Sequence, residues 1–351
     1  MAILDITVDI SVAVPTGSLG FGVPLILVSK ATEEVPYTKC KNVNEVAAAI
    51  KDTGKTSDTC KIAQLIFSQT NAPKEVAIYH SKSGAVSAIS EVEEKDWRQL
   101  IVAFGESDTD DAEKVSKAVE ALDTRKMYFV TVSDTTDLGK LKGNDRTIAF
   151  YYDLTKTVTT GEEGSAQTTT VAAHPYAVAA LVGETAGRKA GSFTYKNLIL
   201  KGIEPLSKTS DELAEIHTSG GITFVQKCGD NVTSEGKNTN GQYIDVIDAK
   251  DYIQSQIEYR VQKLLNNAPK IPYTNAGISA IESEVVNVLE DAYRNGMINE
   301  NEGVPDYTTS FQTREEMTEA NRSNRVYTGG NFTFKLAGAI HEVEVHGELV
   351  I

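Results

Sequence analysis

Three short segments of the sequence contain residue types that bind nucleotides or metal ions in other proteins. The first is Gly54-Lys55-Thr56, which resembles the end of a phosphate-binding loop, where backbone amides and a lysine hold phosphate groups. The earlier glycine of such a loop is replaced by Ala49, and the segment follows a predicted helix instead of a strand. Nucleotide binding at this position is therefore not expected.

The second segment is a pair of histidines near the end of the chain. His341-Glu342 and His346 miss the H-E-x-x-H spacing of a zinc site by one residue. On a strand, an odd separation places the two histidines on opposite faces. Both are therefore predicted to be surface residues of a terminal strand.

The third segment is a group of aspartates at Asp108, Asp110 and Asp111. They precede a predicted helix, where acidic side chains favour the positive end of the helix dipole, so a helix start explains them better than a metal loop. The sequence has no G-x-S-x-G nucleophile elbow either. We therefore predict no catalytic residues, no metal site and no cofactor.

Composition excludes further classes of function. The 351 residues carry a formal net charge of −15, which argues against a nucleic-acid partner. No apolar run is long enough to span a membrane, and the alternating first residues do not form a signal peptide. The three cysteines are far apart and suit a reducing compartment. These features predict a soluble protein made in a cytoplasm, with no membrane insertion.

Both ends of the chain alternate between apolar and polar residues, which predicts a β-strand at each terminus. Turn-forming residues follow the first strand, and the apolar phase slips by one residue before the last strand, which predicts a bend there. The apolar stripes are Leu4, Ile6, Val8, Ile10 and Val12 at the start, and Val343, Val345, Leu349 and Ile351 at the end. The predicted hinges are Pro15, Gly17, Gly20 and Gly338.

Between the termini, the pattern predicts a mixed α/β (α+β) fold. Strands and helices alternate up to Asp153, which favours a largely parallel sheet covered on both faces. The threonine-rich segment Thr155–Val171 fits either an exposed hairpin or a surface loop. Two long helices are predicted at Asp248–Asn267, with Asp248 as N-cap, and at Asn275–Asn295, followed by an irregular stretch from Tyr307 to Arg325.

Four segments resemble the tail sheath proteins of contractile phage tails and related bacteriocin particles, close to the diffocin type. They are ILDITVDISVAVPTGSLGFGVPLIL at the start, YIDVIDAKDYIQSQIEYRVQKLLNNAPKIPYTNAGISAIESEVV, RSNRVYTGGNFTFKLAGAIH, and the alternating final strand. KIPYTNAGI, an amphipathic helix and LAGAIH are specific in combination. The middle, about residues 30–195, matches less clearly.

The resemblance implies a structural, non-enzymatic polymer. Its terminal arms would add strands to sheets of neighbouring subunits, and the resulting stacked rings would form a helical sheath around an inner tail tube protein. The sheath would assemble in an extended, metastable state, bind baseplate and terminator or collar proteins, and contract when triggered. One helix of the C-terminal domain would face the tube, here through Glu282, Asn287, Glu290 or Arg294.

The resemblance also implies a division of the chain: an N-terminal strand arm (1–20), an inserted outer α/β domain (21–195), an inner, tube-facing C-terminal-type sheath domain (196–338) and a C-terminal strand arm (339–351). From alternation alone, the two terminal strands would pair equally well within one subunit, since chain ends often lie close together. Two alternative functions remain. The chain could be a soluble α/β enzyme with an unrecognised active site, or another self-assembling tail component of the tube or baseplate.

Overall fold

A computed structural model of the chain describes residues 21–122, 124–160 and 167–343. The predicted N-terminal strand and most of the predicted C-terminal strand lie outside these residues. Up to residue 153 the described chain largely alternates strands and helices, as the sequence pattern predicts, and two further strands follow by residue 172. Its elements are β1 (Leu25–Val28), β2 (Val35–Cys40), α1 (Val43–Ala49), α2 (Asp58–Phe67), β3 (Val76–His80), α3 (Ala85–Glu91), β4 (Gln99–Ala103), α4 (Ala112–Glu120), β5 (Met127–Val132), α5 (Thr135–Leu141), β6 (Thr147–Tyr151), β7 (Thr155–Thr160) and β8 (Gln167–Ala172).

The rest of the described chain is richer in long helices and short hairpins. The stretch predicted to be irregular, Tyr307–Arg325, contains a strand and a helix, so that prediction was wrong. The elements are α6 (Val178–Ala186), α7 (Ser210–Thr218), β9 (Gly221–Ile222), β10 (Phe224–Lys227), β11 (Asp230–Thr233), α8 (Ile244–Asn267), α9 (Asn275–Arg294), β12 (Glu300–Asn301), β13 (Val304–Pro305), β14 (Tyr307–Phe311), α10 (Glu319–Asn324) and β15 (Gly330–Phe334).

A seven-stranded sheet with the order β2-β3-β1-β4-β5-β6-β9 forms the centre of the first half. All neighbouring strands are parallel except the edge pair β2–β3. Successive residues of β1 face opposite layers: Ile26 packs with α1, α2 and α6, whereas Leu25 and Leu27 pack with α3 and α4. The sheet is thus covered on both faces, as the buried apolar strands predicted.

The threonine-rich segment forms a hairpin, which decides between the two alternatives. β7 pairs with β8 in antiparallel register over six residue pairs, from Thr155 opposite Ala172 to Thr160 opposite Gln167. These two strands form a separate sheet and do not join the central one.

Residues 196–243 pack on the α/β core. Leu198, Ile203 and Phe224 are buried in the same apolar cluster as α2 and α6, and β9 extends the central sheet beside β6. The body centred on this sheet, called here the α/β body, therefore continues to residue 243.

Helices α8 and α9 share a second apolar core, which includes Ile253, Ile257, Val285 and Leu289. The prediction that Asp248 is an N-cap was wrong, because α8 begins four residues earlier, at Ile244. Asp248 lies in the second turn of the helix, where its carboxylate is buried against Arg98. The predicted bounds of α9 hold to within one residue, with Thr274 as N-cap.

Candidate assembly site

The β14–β15 hairpin lies on α9 with one face inward. On this face Tyr307 is paired with Phe334, and Thr309 with Phe332. Thr308 and Thr333 face solvent, and their hydroxyls share a hydrogen bond of 2.7 Å. The inward rings contact the α8–α9 core but stay only half-buried. Part of the apolar surface of this small sheet is thus still accessible in the single subunit.

Two of the acidic residues of α9 that were predicted to face a tube hold this hairpin in place. The Thr309 hydroxyl donates to Glu282 at 2.8 Å, and the Tyr307 hydroxyl donates to Glu290 at 2.5 Å. Burial and the neighbouring Glu290 carboxylate raise the pKa of Tyr307 to about 12. Both glutamates therefore have partners inside their own subunit.

Both strands of the hairpin have a free outer edge within the described chain. The sheet has two strands only, and Lys335 donates its amide to the Asp306 carbonyl while Gln312 donates to that of Gly329. Antiparallel pairs alternate between bonded and non-bonded positions, so the amides of Tyr307, Thr309 and Phe311 point away from β15. The hairpin thus offers two unpaired rows of backbone donors and acceptors.

The outward stripe of α9 carries the other two predicted tube-facing residues. Asn287 and Arg294 are exposed, and Ser279 and Ser283 on the same stripe are small and exposed as well. The Arg294 guanidinium lies 4.0 Å from Glu290 and 3.8 Å from Asp291. Because these contacts are long and exposed, Arg294 keeps most of its capacity to pair with another molecule.

The first described residues and the last ones reach the same helix. The ring of Phe21 packs edge-on against Tyr252 at 5.6 Å between centroids, and the Arg98 guanidinium lies 4.6 Å above Phe21. Gly338 and Ala339 line a small cavity together with Val246. The two ends of the described chain therefore meet α8 within two turns of each other.

Gly338, the predicted hinge before the last strand, has a left-handed backbone. Gly338 has a φ of +63°, a left-handed conformation that glycine adopts without steric cost. Val343, the one described residue of the predicted C-terminal stripe, is 77 % exposed. The remaining arm and hinge residues lie outside the described chain: Leu4, Ile6, Val8, Ile10, Val12, Val345, Leu349, Ile351, Pro15, Gly17 and Gly20.

A buried ion cluster joins the α/β body to α8. Arg98, the residue immediately before β4, donates to Asp251 at 2.8 Å and also pairs with Asp248. Arg146 pairs with Asp251, and the Tyr195 hydroxyl donates to Asp248 at 2.9 Å. Burial alone would raise the pKa of Asp251, but Arg98 and Arg146 outweigh it and hold that pKa below its usual value.

The sheet edge where α/β enzymes bind ligands is filled by the chain itself. The strand order reverses beside β1, so the carboxyl ends of β1 and β4 mark the usual crevice. Here the Asp108 and Asp110 carboxylates accept hydrogen bonds from the amides of Ala85 and Val86, each at 3.0 Å. Asp111 caps α4 by accepting from the Lys114 amide, which confirms the helix-start interpretation of this aspartate.

The other two candidate segments also have structural roles. Lys55 lies in a turn after α1 and donates to the Asn44 side chain, so it follows a helix as predicted. The prediction that His341 is a surface residue was wrong: its side chain is 8 % exposed and contacts the α/β body. His346 lies outside the described chain. Within residues 21–122, 124–160 and 167–343, no cluster of three or more histidine, cysteine or acidic residues suits a metal ion.

Across the same described ranges, no helix is both long and apolar enough to cross a lipid bilayer.

Comparison with known proteins finds a family model that matches the last third of the chain. Residues 244–349 match the model of the C-terminal domain of E217 tail sheath protein gp31-like proteins. This range begins at the first residue of α8 and includes α9 and the β14–β15 hairpin. A search by sequence among curated proteins finds no match.

Solved structures extend the likeness to almost the whole chain. The contracted helical sheath of the anti-feeding prophage (AFP) is 13 % identical with a TM-score of 0.68, over 99 % of this chain and 98 % of that one. The contracted sheath complex of the extracellular contractile injection system PVC is 9 % identical with a TM-score of 0.68, over 99 % and 96 %. The chain has the fold of a contractile tail sheath protein.

A third solved sheath protein matches a smaller part of this chain. The sheath tail protein of Desulfitobacterium hafniense is 10 % identical with a TM-score of 0.57, over 87 % of this chain and 92 % of that one. These neighbours are structural sheath proteins, and the sheath fold of this chain includes both the α/β body and the α8–α9 region. The recognition of a sheath-like sequence, drawn from the two ends and the final third, is confirmed at the level of the fold.

Proposed function

We propose that this chain is the structural subunit of a contractile tail sheath, and that it assembles by strand exchange between subunits. The observation that carries the proposal is the β14–β15 hairpin, a two-stranded sheet with two free edges and half-buried rings. It lies inside the segment that matches a sheath C-terminal domain. A two-stranded sheet is marginally stable in water, and added strands would complete it.

Each free edge of the hairpin receives one arm from a neighbouring subunit. Backbone hydrogen bonds give such a joint its direction, and the apolar stripe of the arm gives it register and affinity. A Val or Ile side chain of the stripe contributes about 1.5–3 kcal/mol when it becomes fully buried. Leu4 to Val12 would supply the N-terminal stripe and Val343 to Ile351 the C-terminal one.

Strand exchange accounts for a polymer that changes length without breaking. The arms keep neighbours joined while the bodies rotate, and contacts that do not close on themselves generate a helix. The energy of contraction is then the difference between two packings of the same subunits, an extended metastable one and a short one. No catalysis and no cofactor are needed for this step.

The sheath would enclose an inner tube, and the outward stripe of α9 would contact it. Asn287 and Arg294 are the residues free to do so, with an acidic or amide partner opposite Arg294. Glu282 and Glu290 accept hydrogen bonds from β14 and would hold the hairpin in place instead of contacting the tube. Baseplate and terminator or collar proteins would bind the two ends of the sheath.

We also propose a revised division of the chain. The outer part is the α/β body up to residue 243, because residues 196–243 share its core. The inner, assembly part begins at residue 244 with α8 and ends near residue 338. The subunit would be made and assembled in a bacterial cytoplasm and leave the cell within a phage tail or tail-like particle.

Electron microscopy of the purified chain tests this proposal. A sheath subunit is expected to form helical tubes in the short state. Narrower cylinders of fixed length would indicate a tube protein, and small closed oligomers would contradict a helical polymer and favour an enzyme. A cryo-EM map of the tubes would then reveal whether density crosses from one subunit into the hairpin of the next.

A further inference from the structure

The chain segment from Leu336 to His341, which includes the start of the predicted C-terminal arm, is held at two points. At its start, the Ala337 amide donates to the Met297 carbonyl at 2.9 Å, and Leu336 pairs with Ile298. Four residues later the His341 side chain is buried, although Ile340 beside it is 85 % exposed. Since its neighbours are exposed, this part of the segment is attached to the subunit through the His341 side chain.

Two hydrogen bonds fix the orientation of the His341 ring. A carboxylate can only accept, so Nδ1–H of His341 donates to Glu235 at 3.3 Å. The Thr194 hydroxyl and Nε2 share a hydrogen bond of 2.8 Å, and the Thr194 oxygen also accepts from the Lys196 amide. Tyr243 packs edge-on against the imidazole at 4.7 Å. We call these four residues (His341, Thr194, Glu235 and Tyr243) the His341 clasp.

The surroundings of the clasp leave room for this ring and for little else. A Cβ on Gly236 would come within 3.4 Å of the His341 ring and 3.0 Å of the Lys196 amide nitrogen, so a side chain there would crowd the imidazole. The Glu235 carboxylate also accepts from the Gly236 amide at 2.8 Å and lies 3.8 Å from Lys237. Asp245 is the other acidic group near the imidazole.

The segment between the two attachments spans a cavity. Leu336, Gly338 and Ala339 line one side of a space of about 170 Å³, opposite Phe193 and Val246. Gly338, with its left-handed backbone, therefore lies in a segment fixed on both sides, and the first residue beyond the second attachment is Glu342.

We infer that His341 is a positioning residue that sets where the C-terminal arm leaves the subunit. While the clasp is closed, the arm pivots after His341 and not at Gly338. When the clasp opens, residues 338–341 join the arm and lengthen it by about 13 Å. The inference rests on the proposed strand exchange for its purpose, since a longer arm would let two joined subunits move apart.

Distance measurements between spin labels test the clasp in the full-length chain before assembly. One label is placed by Ile340→Cys and the other by Asp211→Cys, both exposed, with the exposed native thiol removed by Cys228→Ser. With His341 in place we expect one narrow distance distribution. His341→Ala should broaden it and shift it by up to about 10 Å, the reach of the three residues between the fixed Ala337 and the label.

Three further variants separate the clasp from general damage to the fold. Glu235→Ala, on the other side of the clasp, should broaden the distribution as well, His341→Gln should restore most of the narrow one, and the exposed Glu342→Ala should leave it unchanged. Equal distributions for His341 and His341→Ala, or a broad one in the unmodified chain, would overturn the inference. Tube formation is scored separately by electron microscopy, so a chain that closes the clasp but forms no tubes would count against the proposed function alone.

Discussion

Arg98, Asp248 and Asp251 form the contact that ties the two halves of the subunit together, and the sequence gives little sign of it. Arg98 lies 150 positions before Asp248 in the chain, and both acidic residues have the charge and place expected of a helix start. Only the fold brings them into one buried cluster. By contrast, Asp111 was predictable as part of a helix start, because its carboxylate accepts from the amide of Lys114, only three positions further along the chain.

Removing one member of this cluster should destabilise the subunit strongly. Asp251→Ala leaves the buried Arg98 and the partly buried Arg146 without one of their carboxylates, which costs about 3–5 kcal/mol in comparable buried pairs. Denaturant unfolding of the variant measures this loss, and the exposed Lys250→Ala on the same helix should change stability by less than about 0.5 kcal/mol. Equal stability of both variants would contradict the role of the cluster.

His80 predicts a loss of stability in acid. Burial lowers its pKa from 6.5 to about 4, and its ring shares a hydrogen bond of 3.0 Å with the Thr59 hydroxyl. The unfolded chain therefore binds more protons than the folded one between these values, so stability falls as the pH falls from about 6.5 to about 4. Thermal unfolding as a function of pH should show a shallower decline for His80→Gln than for the unmodified chain, and an equally steep decline would contradict this role of His80.

At the scale of elements, the sequence predicted a helix or strand correctly where its apolar pattern was long and its end signals were complete. Helix α9 has a threonine cap, a long apolar stripe and a terminal glycine, and its bounds were predicted to within one residue. β14 was missed, because four of the five residues of Tyr307–Phe311 carry a hydroxyl group and the strand shows its apolar face only when paired with Phe332 and Phe334. β2 and α5 are short and were missed for lack of a clear period.

The free edge of β14 gives a test with a matched pair of variants. Thr309→Pro removes an amide that points away from β15, so the hairpin keeps its internal bonds while an incoming strand loses a donor. Thr309→Val removes the same hydroxyl contact to Glu282 but keeps the amide. We expect tubes from the valine variant and none from the proline variant, with similar melting temperatures. Normal tubes from Thr309→Pro would rule out strand addition at this edge.

At the scale of the whole molecule, the two halves differ in how far the sequence predicts them. The α/β body follows from alternating apolar strands and helices, and its layers were predicted correctly. The boundary that we propose at residue 243 differs from the predicted one at residue 195, because residues 196–243 consist of short elements whose burial against the sheet has no local period. The fold also explains why an α/β body here need not imply an enzyme, since Asp108 and Asp110 occupy the ligand edge of the sheet.

The last prediction concerns the N-terminal stripe as the link between subunits. Ile6→Asn with Val8→Asn changes two apolar positions of one face, whereas Thr7→Asn with Asp9→Asn changes the opposite face of the same predicted strand. If a neighbour buries the apolar face, the first variant loses about 3–6 kcal/mol of joint energy and stays a dispersed, folded subunit. The second should still form tubes. Sedimentation velocity and thermal unfolding measure both properties, and deletion of residues 1–9 should behave like the first variant. Tubes from the deletion would show that this arm is not needed to join subunits.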